Sequence, residues 1–233
     1  MRSKLIRRKA LLFFVLFFVF IGFIAIQIPI NTLEGSKVKF TLFDLVAPIS
    51  GAFLGTGLGI VSVLAMYIVN LVTHGFAGVN ASSPLTLVAT LRFLPLIVGV
   101  WFFAKKEGKL LILPALSILA FNLHPIGRTV WFYSLLWTIP FILWPLRGRF
   151  LIARSLAATF SAHAVGGAVW IWAFNLPANV WVSLIPVVIL ERSIFALGIS
   201  ASYILMNNVL GYLAAKKFIP RSIEVDKRYL LKF

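Results

Sequence analysis

Seven long apolar runs, separated by short polar or basic stretches, leave this chain few ways to fold. They cover residues 11–30, 45–72, 85–104, 110–123, 130–146, 151–176 and 180–215. About 20 apolar residues is the length at which an α-helix crosses the hydrocarbon core of a bilayer. Backbone amides in lipid must be satisfied within the segment, which favours helices. Of 233 residues, 61% are hydrophobic and 12% charged, whereas soluble domains hold roughly half and a quarter. No water-soluble fold hides so much apolar surface. The expectation is an all-α, polytopic transmembrane helical bundle, a single integral membrane domain over residues 1–233, in the cell membrane and in contact with the lipid bilayer.

The first run follows a basic stretch, as the apolar part of a signal peptide does. It is nevertheless about the length of a span, and no A-x-A-like cleavage site follows it, so a retained first helix is expected. The chain has no cysteine, which removes disulfides, thiolate nucleophiles and thiolate metal sites from consideration.

Twenty-two Lys and Arg stand against six Asp and Glu. In a soluble chain that excess would suggest phosphate neutralisation on nucleic acid. Here the basic residues sit between apolar runs, so the charge reads as topology, with positive loops kept cytoplasmic, and no nucleic acid partner is expected. Four clusters exist: Arg2, Lys4, Arg7, Arg8 and Lys9; Lys105, Lys106 and Lys109; Arg147, Arg149 and Arg154; and Lys216, Lys217, Arg221, Lys227, Arg228 and Lys232.

Each extra span reverses the side of everything after it. If the chain turns at Gly55-Thr56-Gly57 and again between His124 and Gly127, all four clusters share one side, which collects 17 of the 22 basic residues. Lys37, Lys39 and Arg128 then lie opposite, and Arg92 and Arg192 within the membrane. This predicts eight membrane segments with both termini cytoplasmic. The six-segment alternative keeps 45–72 and 110–146 as single elements and puts the Lys105 cluster outside. As one helix, 180–215 would measure about 54 Å, so it must tilt, kink or begin in the outer interface, and Pro186 offers a place for a bend.

Ionisable groups at membrane depth are costly unless paired or hydrated. Asp44, Arg92, His163, Glu191 and Arg192 are therefore candidates, either as a mutually neutralising network or as the lining of a substrate pocket. Glu191 and Arg192 project about 100° apart on a helix and are expected to serve different partners. Gly166-Gly167 leave room beside His163 for a ligand or a helix. His74, His124 and Arg128, with Asn80, Asn175 and Asn179, fall in loops placed outside. With Trp131, Trp172 and Trp181 they would rim an outward cavity, unless the tryptophans form an interfacial belt. No histidines have metal-ligand spacing, so no metal is expected.

No G-x-S-x-G elbow, H-E-x-x-H motif or P-loop occurs. No catalytic residue and no cofactor is predicted, and any active transport must borrow its energy. The enzyme alternative is an intramembrane protease or lipid-modifying enzyme with Glu191 and His163 as a base pair. The other alternative is a membrane scaffold. Ala47, Gly51, Gly55 and Gly59 recur every fourth position, a spacing that lets helix backbones approach closely, in internal packing or on a docking surface.

The stretch FDLVAPISGAFLGTGLGIVSVLAMYIVNLV, residues 43–72, resembles the second and third helices of the substrate-binding S components of energy-coupling factor transporters. There an acidic or proline start leads through a short apolar helix and a glycine-rich turn into a second apolar helix. The basic N-terminal tail and the terminal Ala214-Ala215-Lys216-Lys217 are also similar. The resemblance implies a membrane subunit that captures a vitamin, a related small molecule or a metal ion from outside. It would toggle while bound to a transmembrane coupling protein and two ABC-type ATPases. Family members usually have six helices and often an Ala-x-x-x-Ala motif in the first, which this chain lacks; Gly22 and Ala25 offer only a small patch. No substrate-specific motif matches.

Overall fold

The computed structural model describes residues 2–32, 39–74, 91, 93–218, 223 and 225–231. Arg92, Asn80, Lys37 and the start of the 85–104 run lie outside the described residues, as does the His74 side chain. The described chain is predominantly helical, with one short antiparallel hairpin. It divides into two compact units: Met1–Gly78 with Ile199–Phe233, and Val79–Gly198.

In the first unit, α1 (Arg2–Ile26) stops short of the expected end at residue 30. Pro29 opens β1 (Pro29–Thr32), which pairs with β2 (Lys39–Thr41) in a register interrupted between Pro29 and Asn31. Proline cannot continue a helix, but it is tolerated at the first residue of a strand. The run 45–72 forms two helices, α2 (Phe43–Leu54) and α3 (Thr56–His74). Gly55 between them has φ +82°, a conformation that only glycine adopts freely. The expected turn is therefore present.

That turn decides the fate of the small-residue series. Gly51 and Gly59 meet face to face across the α2/α3 pair, where a Cβ on Gly59 would lie 2.4 Å from the Gly51 Cα. The Ser50 hydroxyl donates to the Ala47 and Gly59 carbonyls at 2.8 and 3.3 Å. Ala47 is buried. The four positions are not one continuous outward stripe. Gly51 and Gly59 serve internal packing, and Gly55 serves the turn. A cavity about the size of one water lies beside this contact, lined by Phe18, Gly22, Phe43 and Ser62 among others.

The first helix of the second unit described over its length is α4 (Phe93–Ala104). A 3₁₀ turn (Gly108–Leu111) leads into α5 (Ile112–Leu123), and α6 (Pro125–Thr129) follows a break at His124. The next apolar run is wound unevenly, as 3₁₀ helix Trp131–Thr138, α7 (Ile139–Leu143) and 3₁₀ turn Trp144–Leu146. Pro140 and Pro145 each remove a backbone donor from it. Then come α8 (Leu151–Phe174) and α9 (Ala178–Ala215). Pro186 lies inside α9 without ending it, so no break in helical structure accompanies it.

Residues of α9 beyond Gly198 belong to the first unit, where the C-terminal tail runs back along them. The Asn207 amide exchanges two hydrogen bonds with the Asp226 backbone at 2.8 and 2.9 Å. Asn208 donates to the Tyr229 carbonyl and accepts from the Leu231 amide at 2.8 and 2.7 Å. Gly211 makes room for Leu230, whose Cδ2 would lie 2.4 Å from an added Cβ.

Among the described residues, two helices, α8 and α9, are long and apolar enough to cross a membrane, and six shorter apolar helical segments accompany them.

The Gly51–Gly59 contact is backbone against backbone and cannot yield by a side-chain rotation. Gly59→Ala is expected to lower stability by about 1–3 kcal/mol through overpacking. Gly55→Ala, which has open space but a strained φ, should cost roughly 1 kcal/mol. Thermal unfolding of the two variants in one detergent checks the order, and a neutral Gly59→Ala would refute the contact.

Candidate functional site

Buried polar side chains of the second unit gather on α8, α9 and the uneven segment. Glu191 and Arg192 are 5% and 7% exposed, in the interior of the long apolar helix α9. Contrary to the expectation of separate partners, they reach each other. Arg192 Nη2 lies 3.4 Å from Glu191 Oε2, and Nη1 donates to the Thr159 hydroxyl at 3.4 Å. Long side chains on adjacent positions can converge even though their Cβ atoms diverge. The guanidinium also lies over the Phe195 ring, 4.4 Å from its centroid.

Beside this pair, the Tyr133 hydroxyl and His163 Nε2 are hydrogen-bonded at 3.1 Å. Thr159, which Arg192 bonds, and His163 stand one turn apart on the same face of α8, so the two polar pairs form one neighbourhood. Its apolar wall is an aromatic cluster of Phe121, Tyr133, Trp137 and Trp181. The Trp137 ring packs against Gly167, where a Cβ would meet it at 2.5 Å, and Pro95 fills the space over Gly166. The room that the glycines leave is thus taken by an indole and a proline. The fully buried Trp137 Nε1 has no hydrogen-bond partner among the described residues, an arrangement that is costly in an apolar interior.

His163 bonds Tyr133 and not Glu191.

The other candidates satisfy backbone ends. Asp44 belongs to the first unit, and its carboxylate accepts from the Thr41 amide at 2.8 Å, fixing the entry from β2 into α2. The His124 Nδ1 accepts from the Ile126 amide at 3.3 Å and so caps α6, while its ring packs edge-on against Trp172. Arg128 donates to the Asn122 and Leu123 carbonyls at the end of α5. Trp181 is core rather than rim. Trp131 and Trp172 are exposed, and Trp172 Nε1 donates to the Ala120 carbonyl at 2.9 Å. No group of three or more His, Asp or Glu that could hold a metal occurs among the described residues.

Tyr133, Thr159 and Trp137 were not singled out from the sequence. A tyrosine or a threonine in an apolar run is common, and only its neighbours give it meaning. The basic clusters carried more signal than expected: Arg147 donates to the Phe102 and Lys105 carbonyls and Arg154 to the Phe103 carbonyl. These arginines cap α4 and bring the loops 105–109 and 147–150 together. Burial, with the Arg154 charge nearby, pulls the Arg147 guanidinium down to about 10, still charged at neutral pH.

The chain is 23% identical to an uncharacterized protein of Methanocaldococcus jannaschii, over 98% of this chain and 85% of that one. No family model matches the sequence. No solved structure matches it either.

Buried charges and helix-end caps should respond differently to neutralisation. Glu191→Gln is expected to lower stability by about 3–5 kcal/mol, because it leaves the Arg192 charge desolvated with less compensation. Asp44→Asn, which keeps an acceptor at the cap, should cost less than about 1 kcal/mol. Unfolding midpoints of both variants in matched detergent measure this, and equal losses would contradict the assignment.

Proposed function

We propose that this protein is a multi-pass membrane subunit that binds a small molecule for uptake, in the manner of an S component of an energy-coupling factor transporter. The observation that carries the reading is the buried neighbourhood of Glu191, Arg192, Thr159, Tyr133 and His163, with the unpartnered Trp137 indole beside it. Charged groups kept inside an apolar bundle usually mark a substrate or ion path. An Arg192 guanidinium supplies paired donors for an anionic group, and Glu191 an acceptor for a cationic one, which suits an anionic or zwitterionic ligand.

Several features support the multi-pass reading. Large apolar side chains stand exposed along α1, α3, α5, α8 and α9, including Phe13, Phe20, Val72, Leu119, Trp172 and Leu205. Water would penalise that surface and lipid would not. The turns at Gly55 and His124 agree with the eight-segment order, in which both termini and all four basic clusters are cytoplasmic.

A second reading, a membrane scaffold without a ligand, is favoured by the Trp137 ring filling the space beside Gly167.

Gentle purification of the full chain from native membranes separates the two. Transport predicts a co-purifying coupling protein and ATPase pair, and a small molecule released on denaturation. Arg192→Met should reduce the retained molecule by at least about tenfold, the worth of a charge-assisted hydrogen bond. A folded, solitary wild-type protein that carries nothing would overturn the transport reading.

A further inference from the structure

The end of the second unit where α4 finishes gathers positive charge that the polar site does not use. Two loops separated by some forty residues in sequence meet there, 105–109 and 147–150. Together with Arg154 they carry six basic side chains, and Glu107 is the one acidic residue in either loop. Glu107 is held by Lys109 at 2.7 Å and Lys105 at 3.4 Å, and the Lys109 bond leads in keeping its carboxyl below the usual range. Lys106 and Arg149 are exposed and have no ion-pair partner among the described residues.

Arg147 adds a buried charge. Its guanidinium rests on the Trp144 ring, 4.4 Å from the centroid, and spends its terminal nitrogens on carbonyls, while its buried Nε has no partner among the described residues. The platform is edged by exposed apolar side chains, Leu146 and Phe150 beside the second loop and Ile112 just after the first.

We propose that this platform is a binding site for anionic phospholipid headgroups of the leaflet that faces the basic loops. The inference rests on the membrane reading above and not on the transport reading. A basic surface bordered by exposed apolar side chains matches the boundary between headgroup and acyl chain, where a phosphate meets cations and the chain meets hydrocarbon. An acidic protein surface would match the charge but leave Leu146, Phe150 and Ile112 without apolar cover. The capping arginines, Arg147 and Arg154, fix the two loops against each other, and the exposed Lys106 and Arg149 supply charge toward the lipid.

The full chain is reconstituted into vesicles of phosphatidylcholine alone or mixed with phosphatidylglycerol. Lipid retained after extraction is counted by native mass spectrometry, alongside the unfolding midpoint. The expected result is preferential retention of phosphatidylglycerol and a raised midpoint. Lys106→Gln with Arg149→Gln, which leaves the capping arginines intact, should weaken the preference by about fivefold per charge removed. Lys216→Gln with Lys217→Gln, an equal charge loss at the end of α9, should leave it largely unchanged. Equal loss in both double variants would mean general charge attraction and would overturn the site. Equal stabilisation by inorganic phosphate or by polyglutamate would overturn the lipid assignment. Failure to enter any vesicle would sink the membrane reading and the proposal with it, whereas entry without a phosphatidylglycerol preference would sink the proposal alone.

Discussion

The carbonyl end of α4 is held by two guanidinium groups, and the second unit is organised around that arrangement. A helix leaves its last four carbonyls without intrahelical donors, and a buried end needs them satisfied from elsewhere. Arg154 reaches the Phe103 carbonyl from the first turn of α8, and Arg147 reaches the Phe102 and Lys105 carbonyls from the preceding loop. Positive charge at a helix C-terminus also complements the helix dipole. The three bonds fix α8 and the loop before it against α4, and α8 in turn carries Thr159, His163 and Gly167 to their places.

The same demand recurs wherever a short helix ends. His124 and Arg128 settle the break between α5 and α6, Asp44 the start of α2, and the Asn207–Asn208 pair the backbone of the returning tail. Chains built of short apolar helices have many ends in places poor in water, and each end recruits a polar side chain. Several residues that look functional in the sequence are engaged in this way. The polar neighbourhood of Glu191, Arg192, Tyr133 and His163 is different, because Glu191, Arg192 and His163 lie in the interiors of α9 and α8 and cap no helix end.

Much of the helical structure was legible in the sequence, since hydropathy gives the apolar segments that become helices. The turn at Gly55 came from asking where the basic clusters must lie, and a glycine at φ +82° is the residue that such a turn requires. The turn near His124 followed from the same logic, and the helix breaks there, between α5 and α6. The hairpin between α1 and α2 was not foreseen, because a three- or four-residue strand beside a proline has almost no periodic signal.

The site was less legible. Type and burial marked Glu191, Arg192 and His163, but not which of them would touch. Adjacent positions diverge by about 100° at the Cβ, yet flexible side chains brought Glu191 and Arg192 together. The space beside Gly166-Gly167 was foreseen, and its occupants, Trp137 and Pro95, were not, because they come from distant segments. The sequence by itself determined that the chain is a set of apolar helices with basic loops, since hydrophobicity and charge act through local composition. Only the tertiary structure decided which polar groups are helix caps and which form a buried cluster, since that depends on which distant backbone ends and side chains are packed within hydrogen-bond reach.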